Sequence, residues 1–156
     1  MRLVYFVSLF PCWSETFIVR EIHELLKLGV DIRIVSLKPA SEKMVQSDAA
    51  TLLDRVVYPP SAAVSLRRAL GAIVSLPWRS LSEVWGLLRA LHRHPEALLK
   101  SVVVWWRTLA MLPDVIELAP RHLHAHWATY PSTAAMIVAG RTGIPFSFTA
   151  HAHDIF

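Results

Sequence analysis

Residues 2–37 read RLVYFVSLFPCWSETFIVREIHELLKLGVDIRIVSL, and the order of patterns in this stretch decides the fold. Residues 2–9 are a nearly continuous apolar run rich in β-branched and aromatic side chains, as a strand covered on both faces of a parallel sheet requires. Pro11 ends it. Ser14 is placed to cap a helix, because its hydroxyl can accept from the free N–H groups of the first turn, and Glu15 sits where the helix dipole favours negative charge. Ile18, Ile22 and Leu25 recur at i, i+4 and i+7, with Arg20, Glu21, Glu24 and Lys27 mostly off that face. Gly29 is a natural stop. Residues 30–37 return to a strand pattern, so the stretch predicts one β-α-β unit.

Outward from this unit, residues 39–55 predict a loop and a short helix, and residues 55–58 a short strand ended by Pro59-Pro60. Residues 61–112 turn helical. Leu66, Leu70 and Ile73 make one apolar stripe, and Leu81, Val84, Trp85, Leu88 and Leu91 make another. Three helices are expected there, with Ser80 and Glu83 reading as a capping box, Pro95 in a first turn, and Pro113 and Pro120 punctuating the end. Residues 121–128 alternate like a strand, residues 131–139 are helical with Gly140 and Gly143 closing them, and residues 144–150 are another strand. Strands alternating with helices predict an α/β fold, a Rossmann-like open parallel sheet with helices on both faces. Ligands of such sheets bind outside the carboxyl ends of the strands. Residues 10–16, 127–132 and 151–156 are therefore the segments to watch.

The composition narrows the class. A chain of 156 residues that is 54% hydrophobic and 18% charged can bury a core of its own. Its single cysteine, Cys12, can form no internal bridge, which suits a reducing, cytoplasmic location. No charge-free stretch between Arg55 and Arg121 approaches the roughly 18–20 residues of a membrane span. The net charge of +4 belongs to the middle third: residues 61–112 carry seven basic and two acidic side chains. The same segment holds Trp78, Trp85, Trp105 and Trp106. Interleaved arginine and tryptophan on amphipathic helices can seat a protein on an anionic membrane surface, and can equally be a core-facing tryptophan set with a solvated basic face. No nucleic-acid-binding motif accompanies the charge, so nucleic acid is not an expected partner.

Alternation places His122, His124 and His126 on one strand face, with Leu123, Ala125 and Trp127 on the other. With His151, His153 and Asp154 they gather five imidazoles and a carboxylate near one end of the chain. One reading is a metal-dependent hydrolase using His122, His124, His126 and His151. Against it, no recognisable ligand signature is completed. The blander reading has one or two of these histidines touching substrate while the others pack. The first loop lacks the Gly-x-Gly-x-x-Gly of a dinucleotide site, although Ser14, Glu15 and Thr16 at a helix start can meet a sugar or a phosphate. Cys12 has no assigned base and reads as a packing residue.

The opening FPCWSETFIVREIHELLKLGVDIRIVSL is similar to the start of bacterial family 4 glycosyltransferases of the colanic-acid and exopolysaccharide type, where Phe-Pro-x-x-Ser-Glu-Thr-Phe-Ile follows the first strand. The end, HLHAHWATYPSTAAMIVAGRTGIPFSFTAHAHDIF, resembles that family's His-x-His-Phe/Trp-Ala segment and its Pro-Phe-Ser-Phe-Thr-Ala-His-Ala-x-Asp-Ile motif. The middle third matches only in being helical and basic. The resemblance implies a GT-B enzyme, two Rossmann-like domains facing a cleft, with residues 1–156 as the N-terminal acceptor-side domain and a helical basic insert at about 61–112. It implies retaining, metal-independent and cofactor-free sugar transfer from a nucleotide-sugar donor to a lipid-linked or polysaccharide acceptor, in cell-surface polysaccharide biosynthesis at the inner face of the plasma membrane. By position, His151 would be the catalytic-site imidazole that hydrogen-bonds donor sugar or acceptor. Ser14, Glu15 and Thr16 would line the acceptor side, His126 would lie near the cleft, and Asp154 would orient the His151 loop. His153 stands where the family often has a basic residue. The family's Glu-x7-Glu motif does not occur in these 156 residues. The expectation is therefore a truncated acceptor-side part, inactive alone, without its C-terminal nucleotide-sugar domain.

Overall fold

A computed structural model describes residues 1–39 and 47–151. The elements run β1 (Arg2–Val7), α1 (Thr16–Lys27), β2 (Asp31–Ser36), α2 (Ser47–Ala50), a 3-10 turn (Leu53–Arg55), β3 (Val56–Val57), α3 (Ala62–Ser75), α4 (Pro77–Leu91), α5 (Pro95–Glu117), β4 (His122–His126), α6 (Tyr130–Thr142) and β5 (Phe146–Thr149). Among the described residues the strands form one sheet in the order β3-β2-β1-β4-β5, every pairing parallel. This is the α/β Rossmann-like open sheet that the alternation predicts.

Period two along the strands assigns the layers. Val4, Phe6, Val35, Leu123 and Ala125 face α5 and α6, packing on Val104, Met111, Val115, Ala134, Ala135 and Val138. Tyr5, Val7, Ile32 and Ile34 face the other way, onto Ile18, Val19 and Ile22 of α1 and Ala49 and Leu52. A third cluster, Ala69, Trp105, Leu109, Ala110 and Ile137, joins α3 and α5 to α6 outside the first layer. Helix α1 ends as the sequence predicts: Gly29 takes φ +80, its N–H donates to Leu26 C=O, and the Val30 N–H donates to Leu25 C=O. At the amino ends of the strands, Arg2 and Arg55 converge on Asp31, at 2.6 and 3.2 Å. The hydrogen bond from Arg2, with the neighbouring guanidinium charges, holds the Asp31 carboxyl below its ordinary range.

Several local expectations are corrected. Ser14 caps nothing: a turn closed by Glu15 N–H to Cys12 C=O precedes the helix, which begins at Thr16 with Glu15 in the cap position and no side-chain cap bond. Ser80 and Glu83 are not a capping box, because Pro77 already starts α4 one turn earlier. Pro113 does not end α5, since the buried stripe Val104, Thr108, Met111 and Val115 holds the helix against the core through it to Glu117. Gly140 lies inside α6, where the guanidinium of Arg79 occupies the space a Cβ would need. Gly143, at φ +75, closes that helix. Edge strand β5 leaves Phe146 and Phe148 exposed. Among the described residues no helix is long and apolar enough to cross a membrane.

Ser80 and Glu83 serve a tertiary contact instead. The Arg141 side chain, only 1% exposed, donates to both carboxylate oxygens of Glu83, to Ser80 Oγ at 2.8 Å and to Ala72 C=O at 3.0 Å. Trp105 Nε1 donates to the same carboxylate at 2.8 Å. One ion pair thus ties α6 to α3, α4 and α5. Removing the carboxylate strands a buried guanidinium, so Glu83→Ala is expected to lower unfolding free energy by about 3–5 kcal/mol in chemical denaturation. A loss below 1 kcal/mol would mean that the pair is dispensable.

Candidate functional site

The loops leaving the carboxyl ends of β1, β4 and β5 meet. The first is rooted by Phe10, whose N–H donates to Ser36 Oγ at 3.0 Å and whose C=O accepts from Tyr58 Oη at 3.0 Å. The Ser36 hydroxyl in turn donates to Lys38 C=O at 2.7 Å. Held at its root, the loop turns at residues 12–15 and delivers Glu15, Thr16 and Phe17 to the start of α1.

Strand β4 ends at His126, and Trp127 adopts φ +78 while its N–H donates to Thr149 C=O of β5. That backbone turn takes Trp127 out of the strand alternation. Its indole is therefore not beside Leu123 and Ala125 as expected. Instead Nε1 donates to Glu15 Oε1 at 3.0 Å, and the ring lies 4.3 Å from the His151 ring. His151, after β5, also sits 4.9 Å from Phe17 and stacks on His126 at 5.6 Å, centroid to centroid. His126 Nδ1 is 3.3 Å from His151 Nε2. Residues 15, 127 and 151, drawn from both ends of the sequence, meet at one partly exposed surface, with buried His126 beneath them.

Deeper along the sheet, His122, His124 and His126 share a face as the alternation predicts. His122 and His124 each contact Ser147 Oγ at 2.8 Å, and His124 also reaches Thr149 Oγ1 at 3.2 Å. The Tyr5 ring lies 5.0 Å from His124 and 5.3 Å from His126. Tyr5 Oη donates to Glu21 Oε1 at 2.7 Å. His126 is 1% exposed, and its Nε2 has no hydrogen-bond partner among the described residues; Glu21 Oε1 stands 3.8 Å away.

These environments set the charges. Burial pushes the His126 imidazolium down to about 4, against the opposing pull of Glu21. Burial also lowers His124 and, with the Glu21 carboxylate, raises the Tyr5 phenol well above its usual value. Near neutral pH both strand imidazoles are therefore uncharged, each carrying one N–H donor and one acceptor nitrogen. Their ring nitrogens face Ser147, Thr149, His151 and Glu21 rather than solvent; the side chains left partly open above them are the Trp127 indole, the His151 imidazole and the Glu15 carboxylate, a mix of ring faces and polar atoms that suits a neutral polyhydroxyl ligand.

Of the residues singled out by sequence, Glu15, His126 and His151 come together, and Thr16 is half-buried beside them in the chain. Ser14 is exposed, with its hydroxyl 3.3 Å from Cys12 Sγ. His122 and His124 sit further down the sheet. His153 and Asp154 lie outside the described residues. Sequence reasoning missed Tyr5, Phe17, Glu21 and the indole position of Trp127. The i, i+4 spacing of Phe17 and Glu21 was the available signal for two of them, since both face β4 once α1 lies on the sheet. A cavity of about 530 Å³ opens elsewhere, between α4, α5 and α6, lined by Arg79, Glu83, Trp105 and Met136 among others and by none of these histidines. Compared with protein-family models, with curated proteins and with solved structures, the chain finds no match.

The depressed His126 value has a consequence for stability. The unfolded chain binds a proton there near pH 6.5 and the folded chain only near 4, so the folded state loses stability as pH falls through that window. Between pH 7.5 and pH 5 in chelator-treated buffer, urea denaturation should show a loss of about 2 kcal/mol from this residue. In His126→Gln that part of the slope should vanish. An unchanged slope in the variant would place the protonation elsewhere.

Proposed function

We propose that this chain is the acceptor-side half of a retaining, metal-independent glycosyltransferase of the GT-B kind, related to the family 4 enzymes of cell-surface polysaccharide synthesis. The observation that carries the reading is the junction of Glu15, His126, Trp127 and His151 at the carboxyl ends of β1, β4 and β5. The two segments whose motifs resemble that family are far apart in sequence, and their key side chains touch. The junction also lies where the strand order reverses, with β2 on one side of β1 and β4 on the other, the usual crevice for ligands in open α/β sheets.

In this reading the indole of Trp127 receives a sugar face, Glu15 fixes the indole, and His151 exchanges a hydrogen bond with a hydroxyl of the donor sugar or the acceptor. His126 sets the orientation of His151 through the contact between their ring nitrogens. A nucleotide-sugar donor would be held by a second domain across the cleft. The acceptor is a lipid-linked or polymeric saccharide, and the place of work is the cytoplasmic face of the membrane.

The helical layer supports the membrane part. On α4, Trp78, Leu81, Trp85 and Leu88 form an exposed stripe, with Trp78 at 82% and Trp85 at 64% exposure. Arg67 on α3, Arg89 on α4 and Arg93 in the turn after α4 are exposed, whereas Arg68 is half-buried and paired with Asp114 at 2.7 Å. Exposed indoles together with guanidinium groups that make no ion pair among the described residues fit an anionic bilayer surface.

Two outcomes follow. Isothermal titration of a lipid-free saccharide acceptor into the chain should show binding that weakens tenfold or more in His151→Ala. In a protein carrying both halves, the same change should lower turnover by a similar factor. Unaltered binding and turnover would remove His151 from the site. For the membrane surface, Trp78→Ala with Trp85→Ala should weaken partition onto phosphatidylglycerol vesicles at least tenfold without disturbing the fold, because both rings are exposed. Equal partition onto phosphatidylcholine, or no change in the variant, would contradict it.

A further inference from the structure

Glu21, His124 and His126 present one ligand atom each within 4.8 Å of one another. The set spans a helix and a strand, and it lies below the junction of loops, sharing only the buried His126 with it. We propose that these three side chains form a binding site for a transition-metal dication of the zinc class, which pins helix α1 to strand β4. The proposal stands independently of the glycosyltransferase reading, and no step of sugar transfer uses the ion.

The second observation is the orphaned nitrogen. His126 is 1% exposed, and its Nε2 is buried without a hydrogen-bond partner among the described residues, directed toward the Glu21 carboxylate at 3.8 Å. A buried ring nitrogen without a partner is destabilising, so an unexplained one asks for a partner. At 3.8 Å the pair is too long for a hydrogen bond. Two ligands about 2.1 Å from one tetrahedral ion are roughly 3.4 Å apart, so a shift of a few tenths of an ångström suits that pair to a shared metal.

The donor set agrees. Two imidazoles and one carboxylate are borderline ligands typical of three-coordinate protein sites for zinc, with the fourth position left to solvent. Glu21 is 43% exposed and supplies the entry side. The outer contacts that orient metal ligands are already in place: Tyr5 Oη donates to Glu21 Oε1, Ser147 and Thr149 hydroxyls flank His124, and His151 meets His126 Nδ1. On ligation His124 gives up one of its two hydroxyl contacts. With an ion on His126 Nε2, the ring proton is confined to Nδ1, so His126 becomes the donor toward His151 Nε2.

The test uses the whole chain, stripped with chelator at pH 7.5 and titrated with Zn²⁺ against a chromophoric competitor, then with Co²⁺ followed in visible absorption. The expected result is one ion per chain and the intense Co²⁺ bands of a four- or five-coordinate site. Glu21→Gln and His126→Gln should each weaken binding about 10–100-fold, and His92→Ala with His94→Ala should leave it unchanged. Glu21→Gln preserves the shape of the side chain and an acceptor for Tyr5, and circular dichroism checks that it folds. Absence of stoichiometric binding, a weak octahedral Co²⁺ spectrum, or wild-type affinity in Glu21→Gln would overturn the site. No saccharide binding by the wild-type chain, with stoichiometric zinc binding present, would sink the glycosyltransferase reading alone.

Discussion

The parallel pairing of β1 with β4, Leu3 opposite His122 through Phe6 opposite Ala125, is the constraint on which the rest of the structure depends. Because side chains alternate along both strands, this single register sorts them together. Val4, Phe6, Leu123 and Ala125 go under α5 and α6, and Tyr5 meets His124 and His126 on the side of α1. A slip of one residue would bury three imidazoles in the aliphatic layer and turn Leu123 and Ala125 to the side of α1. The apolar face fixes the register, and the register in turn builds the histidine face.

The same pairing explains the convergence of the loops. After β3 the chain passes through three helices before inserting β4 on the far side of β1, so the loops after β1 and β4 leave the sheet side by side. Trp127, at positive φ, bends its indole back across the gap to Glu15. A non-glycine residue in that conformation is uncommon and is held here by the N–H bond to Thr149 and the indole bond to Glu15.

Periodicity made the β-α-β unit, the three central helices and the shared histidine face legible in the sequence. What misled it were short motifs whose partners lie far along the chain. Ser80 and Glu83 have the spacing of a capping box, yet both are claimed by Arg141, some 60 residues later, and the helix starts earlier at Pro77. Glu21 reads as a solvated helix residue until α1 is laid on the sheet, where it reaches Tyr5 and stands beside His126. The tryptophans divide in the same way: Trp105 is buried and bonded to Glu83, while Trp78 and Trp85 remain outside. Amphipathic spacing marks a face as apolar but does not say whether protein covers it.

The central claim is that residues 15, 127 and 151, with buried His126 behind them, act as one binding surface for a saccharide. A crystal structure of the chain soaked with an oligosaccharide acceptor tests it most directly. The account predicts a sugar ring stacked on the Trp127 indole with a hydroxyl within hydrogen-bond reach of His151. Saccharide density only elsewhere, such as in the cavity between α4, α5 and α6, would contradict it.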